Sequence, residues 1–358
     1  MMRDRPVLPN DLMPAVREAL AGKRVLVTGA TGFIGRRLVQ VLLDVGAEVS
    51  VILRSNHGAK ALKASNVNVL VGHLSDRPFL AQALSEQTVL FHLAYDMRAS
   101  GRENLDLFNA LLETVEASGL ERIVHASSMV VYDHWPGDRI DENAAITRTG
   151  LEDYRDVKIV MEEALMAGSK AAAILQPGIV HGPGSAMWTD GPRAALRRGA
   201  VILPDPPGLC PAIHVDDVIQ AALRAAILPD LAQERFILKG QGAPTWGDFY
   251  EAHRTAIGDG EVKFEPLQAL EARLPPAAPP TGTPPAPPLA ARISQVLRQI
   301  IGRDRFEAIV RSVVRPLSRK GPTYPDRAML RLYAANAVIS DAETQKRLGY
   351  KPRIKLGR

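Results

Sequence analysis

The chain has 358 residues, 46% of them hydrophobic, with a net charge of +5 and a pI near 9.3. That length supports a sizeable core in one large domain or two intertwined ones, and a single cysteine, Cys210, excludes an internal disulfide framework and CxxC-type zinc sites and fits a reducing, cytoplasmic compartment. No run reaches the ~18 consecutive apolar residues of a spanning helix, and Pro6, Pro9 and Pro14 interrupt the region where a signal peptide would carry its apolar core. The positive charge is local. Residues 289–320 carry a balance of +6 and the rest of the chain −1, and only one aromatic, Phe306, stands among the charges, so nucleic acid is not an expected partner.

In chain order, the β-branched run Arg24–Thr28 (RVLVT) reads as a buried strand leading directly into Gly29-Ala30-Thr31-Gly32-Phe33-Ile34-Gly35, and Gly35–Val45 reads as a helix. Between a strand and a helix the three glycines have separate duties: a tight turn, close approach of a dinucleotide pyrophosphate to the backbone, and close packing of helix on strand. Glu48–Leu53 (EVSVIL) is the next strand. An acidic residue at its end would bind an adenosine ribose 2′-hydroxyl, whereas arginine suits a 2′-phosphate. Leu53-Arg54 stands there, which favours NADP(H) and leaves NAD(H) as the alternative.

Val67–Val71, Val89–Leu93 and Arg122–Ala126 continue the strands, with a helix at Glu103–Ser118 carrying Leu107, Leu111 and Val115 on one face. A sixth strand is expected at Ala172–Gln176, ended by Pro177 and Gly178. Strands alternating with helices define an α/β fold, a doubly wound parallel Rossmann sheet with a smaller C-terminal substrate-binding lobe. The expected division is residues 1–176 for the dinucleotide-binding domain, with a return segment at about 212–240, and 177–211 with 241–358 for the lobe. Within the lobe, Pro275–Pro288 (PPAAPPTGTPPAPP) reads as an extended linker. It precedes two basic amphipathic helices over 289–320, for which three roles stay open: a lid over the site, a subunit contact, or a peripheral contact with anionic membrane.

Tyr154 and Lys158 are four apart and share a helical face. A free tyrosine titrates near ~10, and a neighbouring ammonium together with a cationic nicotinamide is expected to favour its phenolate, giving an acid/base at neutral pH. Ser127-Ser128 falls at the end of the fifth strand, on the edge where such sheets bind ligands, and could orient a substrate oxygen towards Tyr154.

Together with TGATGFIG (28–35), FHLA (91–94), ENLDLFNALLE (103–113), SSMVVY (127–132), YRDVK (154–158), PGIVHGPG (177–184), HVDD (214–217) and LGYKPRI (348–354), these residues resemble the extended short-chain dehydrogenase/reductases, or NAD-dependent epimerase/dehydratases. The resemblance runs over nearly the whole chain and omits only the proline-rich and basic stretches. It implies Tyr154 as acid/base, Lys158 on the nicotinamide ribose and Ser128 as third member. It also implies cofactor contacts at Gly29, Thr31, Gly32, Phe33, Ile34, Gly35, Arg54, His73, Leu74, Leu93, Ala94, Tyr95, Pro177, Ile179 and Val180. Substrate contacts are implied at Ser128, Met129 and His181, and a homodimer is the family's usual assembly.

Departures narrow the chemistry. Met129 and Val130 stand where the family's dehydratases carry acidic residues, which argues against water elimination. Gly72-His73-Leu74, His181 and Gln176 replace the usual Gly-Asp-Leu, tyrosine and arginine, in places that touch adenine or a nucleotide sugar. The leading expectation is therefore an NADP(H)-dependent oxidoreductase acting on a small-molecule carbonyl or alcohol. The alternatives are a nucleotide-sugar C4 epimerase with the same triad and tightly held NAD, and a non-catalytic cofactor sensor. His92, His125 and His214 lie in apolar runs and read as packed core residues, with no clustered ligand spacing for a metal. Asp216-Asp217 reads as a structural helix start.

Overall fold

A computed structural model describes residues 5–55, 62, 66–276 and 321–357. The linker expected at 275–288, beyond Pro276, and the basic helices expected over 289–320 lie outside the described residues.

Seven parallel strands form the central sheet: β1 (Arg24–Thr28), β2 (Glu48–Leu53), β3 (Asn68–Val71), β4 (Val89–His92), β5 (Arg122–Ala126), β6 (Ala171–Pro177) and β7 (Gln233–Leu238). Their order is β7-β6-β5-β4-β1-β2-β3. The central strands are covered on both faces, which is why they read as unbroken apolar runs rather than alternating ones. Val25, Leu26 and Val27 of β1, for example, are all fully buried. Helices Leu12–Leu20, Phe33–Asp44 and Val215–Ala226 share one hydrophobic cluster on one face. Helices Arg77–Leu84, Gly101–Glu116 and Tyr154–Met166 share another on the opposite face.

The order reverses between β1 and β4, so the loops after these strands diverge and leave a crevice at their C-terminal ends. Two glycines make the β1 turn possible. Gly29 has φ +72°, and a Cβ there would lie 2.7 Å from the Leu93 carbonyl. A Cβ on Gly35 would lie 2.3 Å from the Gly29 carbonyl oxygen, so only glycine lets the helix start sit against the turn. Gly35→Ala should cost about 1–3 kcal/mol through this overlap, a loss readable as a lower midpoint in urea unfolding.

The return to the sheet is fixed by a buried ion pair. Arg37, in the helix after β1, meets Asp216 at 2.6 Å, each side chain 2% exposed, and Asp216 also accepts from the Val7 amide at 2.9 Å. Asp217 beside it accepts from the Arg353 amide at 3.0 Å, so both aspartates are structural. Asp216→Ala leaves a guanidinium buried beside a vacated carboxylate site, and unfolding experiments should show a loss of about 3–5 kcal/mol.

The smaller lobe rests on short parallel ribbons, Ile179–His181 with Ala212–His214 and Ala200–Asp205 with Glu261–Pro266. Leu196, Leu203, Trp246, Phe249 and Tyr333 form its core. The Trp246 indole donates to the Leu332 carbonyl at 3.0 Å. Among the described residues no helix is long and apolar enough to cross a membrane.

Candidate active site

Helix Tyr154–Met166 begins with the acid/base candidate because Asp153 caps it, its side chain accepting from the Asp156 amide at 3.0 Å. Asp156 in turn accepts from the Thr149 amide at 2.8 Å and the Leu151 amide at 3.0 Å, tying the preceding loop to the first turn. Tyr154 is thus held at a defined depth beside the end of β5. Its neighbours are the Tyr95 ring, edge-on at 5.0 Å, and the Ser128 hydroxyl.

Lys158 is 3% exposed, with Nζ donating to the Ala126 carbonyl at 2.7 Å and lying 5.0 Å from the centre of the Tyr95 ring and 5.9 Å from that of Tyr154. Burial draws its pKa down to about 8, opposed by the Glu162 carboxylate. Tyr154 moves the other way. Burial raises its pKa to about 12, the Ser128 hydrogen bond lowers it and Tyr95 raises it further. Desolvation thus keeps the residue a phenol at neutral pH, and the phenolate expected from Lys158 together with a cationic nicotinamide is a matter for the cofactor-bound protein.

The two adjacent serines face different partners. Ser127 donates to the buried Glu162 carboxylate, whereas Ser128, free of that bond, is the one on Tyr154.

The crevice beside this group is lined by Thr28, Gly29, Thr31, Gly32, Arg54, His73, Leu74, Leu93, Ala94 and Tyr95, bringing together most of the residues expected at a cofactor. The glycines whose Cβ positions are filled by backbone make a cradle in which a phosphate group could approach the main chain. His92, whose buried Nε2 has no hydrogen-bond partner among the described residues, also lines it. The described residues thus fit a dinucleotide.

Sequence reasoning missed several lining residues. Thr28 Oγ1 bonds His92 Nδ1 at 2.8 Å. The Asn104 side chain accepts from the Asp96 amide at 2.9 Å, shaping the loop after β4. The polar Thr28 closing an otherwise apolar strand was the available signal. Asp96 meets Arg54 at 2.5 Å, a pairing between residues 42 apart that no local pattern announces.

Other expected residues lie elsewhere. Phe33 and Ile34 begin the helix and Gly35 lies beneath Gly29; none of the three lines the crevice. Pro177, Ile179 and Val180 do not line it either. Met129 is fully buried in a cluster with Val131, Tyr132 and Ile140. His181 is 4% exposed and packs against His214 at 5.3 Å and Phe249 at 6.0 Å. Its pKa falls to about 3, chiefly through burial, so it stays neutral.

A family profile described as "NAD(P)H-binding" matches residues 29–193. A 3-diazoavenalumate denitrifying reductase from Streptomyces sp is 31% identical over 222 residues, covering 56% of this chain and 71% of the relative. A 4-hydroxy-2-methyl-3-oxo-4-farnesyl-3,4-dihydroquinoline-1-oxide ketoreductase from Stigmatella aurantiaca is 25% identical over 169 residues, 44% of this chain and 51% of the relative. The chain spans about half the length of the first curated relatives it matches.

Solved structures share the fold. The epimerase Mth375 of Methanothermobacter thermautotrophicus gives a TM-score of 0.67 at 16% identity, covering 97% of this chain and 92% of that one. MoeE5 in complex with UDP-glucose and NAD gives 0.62 at 20% identity, covering 93% and 95%. The chain belongs to the extended short-chain dehydrogenase/reductase family, the group of NAD-dependent epimerases and dehydratases.

Proposed function

We propose that the chain is a nicotinamide-dependent enzyme acting at a carbinol or carbonyl carbon. The observation that carries this reading is the convergence of Ser128, Tyr154 and Lys158 at the edge of the sheet, beside the glycine-lined crevice. The bound dinucleotide would supply or accept the hydride. Gly29, Thr31 and Gly32 would receive its pyrophosphate, and Lys158 its nicotinamide ribose. Ser128 orients the substrate oxygen, and Tyr154, a phenol at rest, gives its proton to that oxygen or receives one from it. Lys158 is the cation beside Tyr154 that makes the phenolate attainable in the opposite direction.

Two finer readings use the same residues. Nucleotide-sugar epimerisation with retained NAD is the better supported, because one structural neighbour is named an epimerase and another was solved with UDP-glucose and NAD. In the structure the Arg54 guanidinium meets Asp96, a partner with which a 2′-phosphate would have to compete. Net reduction with NADPH is the second reading, favoured by the reductase names of the curated relatives.

Purified protein incubated with UDP-glucose and related sugars separates them: epimer formed with no net change in nicotinamide absorbance supports the first, and NADPH consumption only with carbonyl compounds supports the second. Arg54→Ala adds an independent check by cofactor titration. On the NAD reading it changes NADH affinity by less than about threefold; loss of one charge-assisted phosphate contact would cost NADPH about tenfold or more.

A further inference from the structure

The end of β5 is fastened to helix Tyr154–Met166 at three successive residues. Ala126 receives Lys158, Ser127 gives its hydrogen bond to Glu162, and Ser128 meets Tyr154. Tyr154, Lys158 and Glu162 recur every four residues, so they share one helical face. Glu162 is fully buried, and among the described residues donors meet its carboxylate. Besides Ser127, Gln176 Nε2 reaches both oxygens at 3.0 Å, and Arg235 Nε reaches one at 2.7 Å. Tyr132 donates to Gln176 Oε1 at 2.8 Å, which turns the amide's nitrogen towards the carboxylate. A shell of donors on both oxygens is the environment that suits a carboxylate.

From this arrangement we infer that Glu162 is a positioning residue for the reaction: its buried charge keeps Lys158 protonated, its bond to Ser127 sets the orientation of Ser128, and Arg235 holds it in place. The inference rests on the proposed roles of Ser128, Tyr154 and Lys158. The other groups facing Lys158 cannot supply this charge. His92 from β4 and His125 from β5 are buried and neutral, Tyr95 presents an uncharged ring, and Tyr154 is a phenol. Glu162 is the carboxylate that opposes the burial of Lys158.

The test is to titrate the lysine side chains of the full-length protein by carbon NMR, with the Lys158 signal assigned from Lys158→Met. Glu162→Gln keeps the shape and removes the charge, and should lower the proton affinity of Lys158 at least about tenfold. Glu162→Asp should restore most of it. Arg235→Met, which keeps the carboxylate and its bonds to Ser127 and Gln176, should shift Lys158 in the opposite direction, and it serves if Glu162→Gln does not fold. In turnover, the alkaline limb of the pH profile should move to lower pH in Glu162→Gln. An unmoved Lys158 in both Glu162→Gln and Arg235→Met would overturn the inference. The titration needs no turnover, so a shifted Lys158 in a protein without oxidoreductase or epimerase activity would sink the proposed function and leave the coupling standing.

Discussion

Replacing Tyr154 with phenylalanine should cut turnover by about a hundredfold to ten-thousandfold while leaving the fold and the cofactor affinity nearly unchanged. The change removes one hydroxyl from a half-buried ring that otherwise keeps its edge contact with Tyr95 at 5.0 Å. The hydroxyl's polar partner is Ser128, which keeps its contact with the Val130 amide at 3.4 Å. Stability should therefore stay within about 1 kcal/mol of wild type. Steady-state kinetics on the accepted substrate, alongside urea unfolding, reads both quantities. An active Tyr154→Phe protein would remove the acid/base role.

Lys158→Met should inactivate the protein and make it more stable. The ammonium is buried and its pKa is drawn from 10.5 to about 8, chiefly by burial. A lysine whose folded pKa lies below its unfolded one binds fewer protons when folded, so its destabilising effect is complete below pH 8 and is relieved as pH rises from 8 towards 10.5. At neutral pH the difference corresponds to a cost of about 3 kcal/mol. Methionine fills a similar volume without charge but leaves the Ala126 carbonyl without its donor, so the expected net gain is about 1–2 kcal/mol. Urea unfolding of both proteins at pH 7 and pH 10 should show the gain shrinking at the higher pH. A destabilised Lys158→Met at pH 7 would contradict the assignment of burial as the dominant cause.

The parts of this molecule legible in the sequence are those governed by local pattern. β1, β2 and β5 fall where the apolar runs place them, because strands covered on both faces are built mainly of β-branched and other apolar residues. The glycines of the first turn were readable because steric demand there admits no other residue. β7 escaped notice because it is an edge strand: Gln233, Glu234 and Arg235 are half-exposed, and only Phe236, Ile237 and Leu238 are buried. Helix Leu12–Leu20 also went unread, although Leu12, Val16 and Leu20 are spaced for one buried face.

In the site, the Tyr154–Lys158 spacing is local and was visible. The pairing of Arg54 with Asp96, the burial of Met129 and the shell around Glu162 depend on which strands become neighbours, and no run of adjacent residues encodes that. The direction of the Tyr154 pKa belongs to the same class. Proximity to an ammonium can be read from spacing, but the burial that raises the Tyr154 pKa depends on the three-dimensional packing around it.

The central claim, that this crevice holds a nicotinamide dinucleotide beside Tyr154, is tested most directly by titrating the purified protein with NADH and NADPH and following nicotinamide fluorescence, after analysing any nucleotide released on denaturation. Saturable binding at one site per chain, or a retained dinucleotide already filling it, is expected, with binding weakened in Lys158→Met. Absence of binding to either dinucleotide, with nothing released on denaturation, would contradict it.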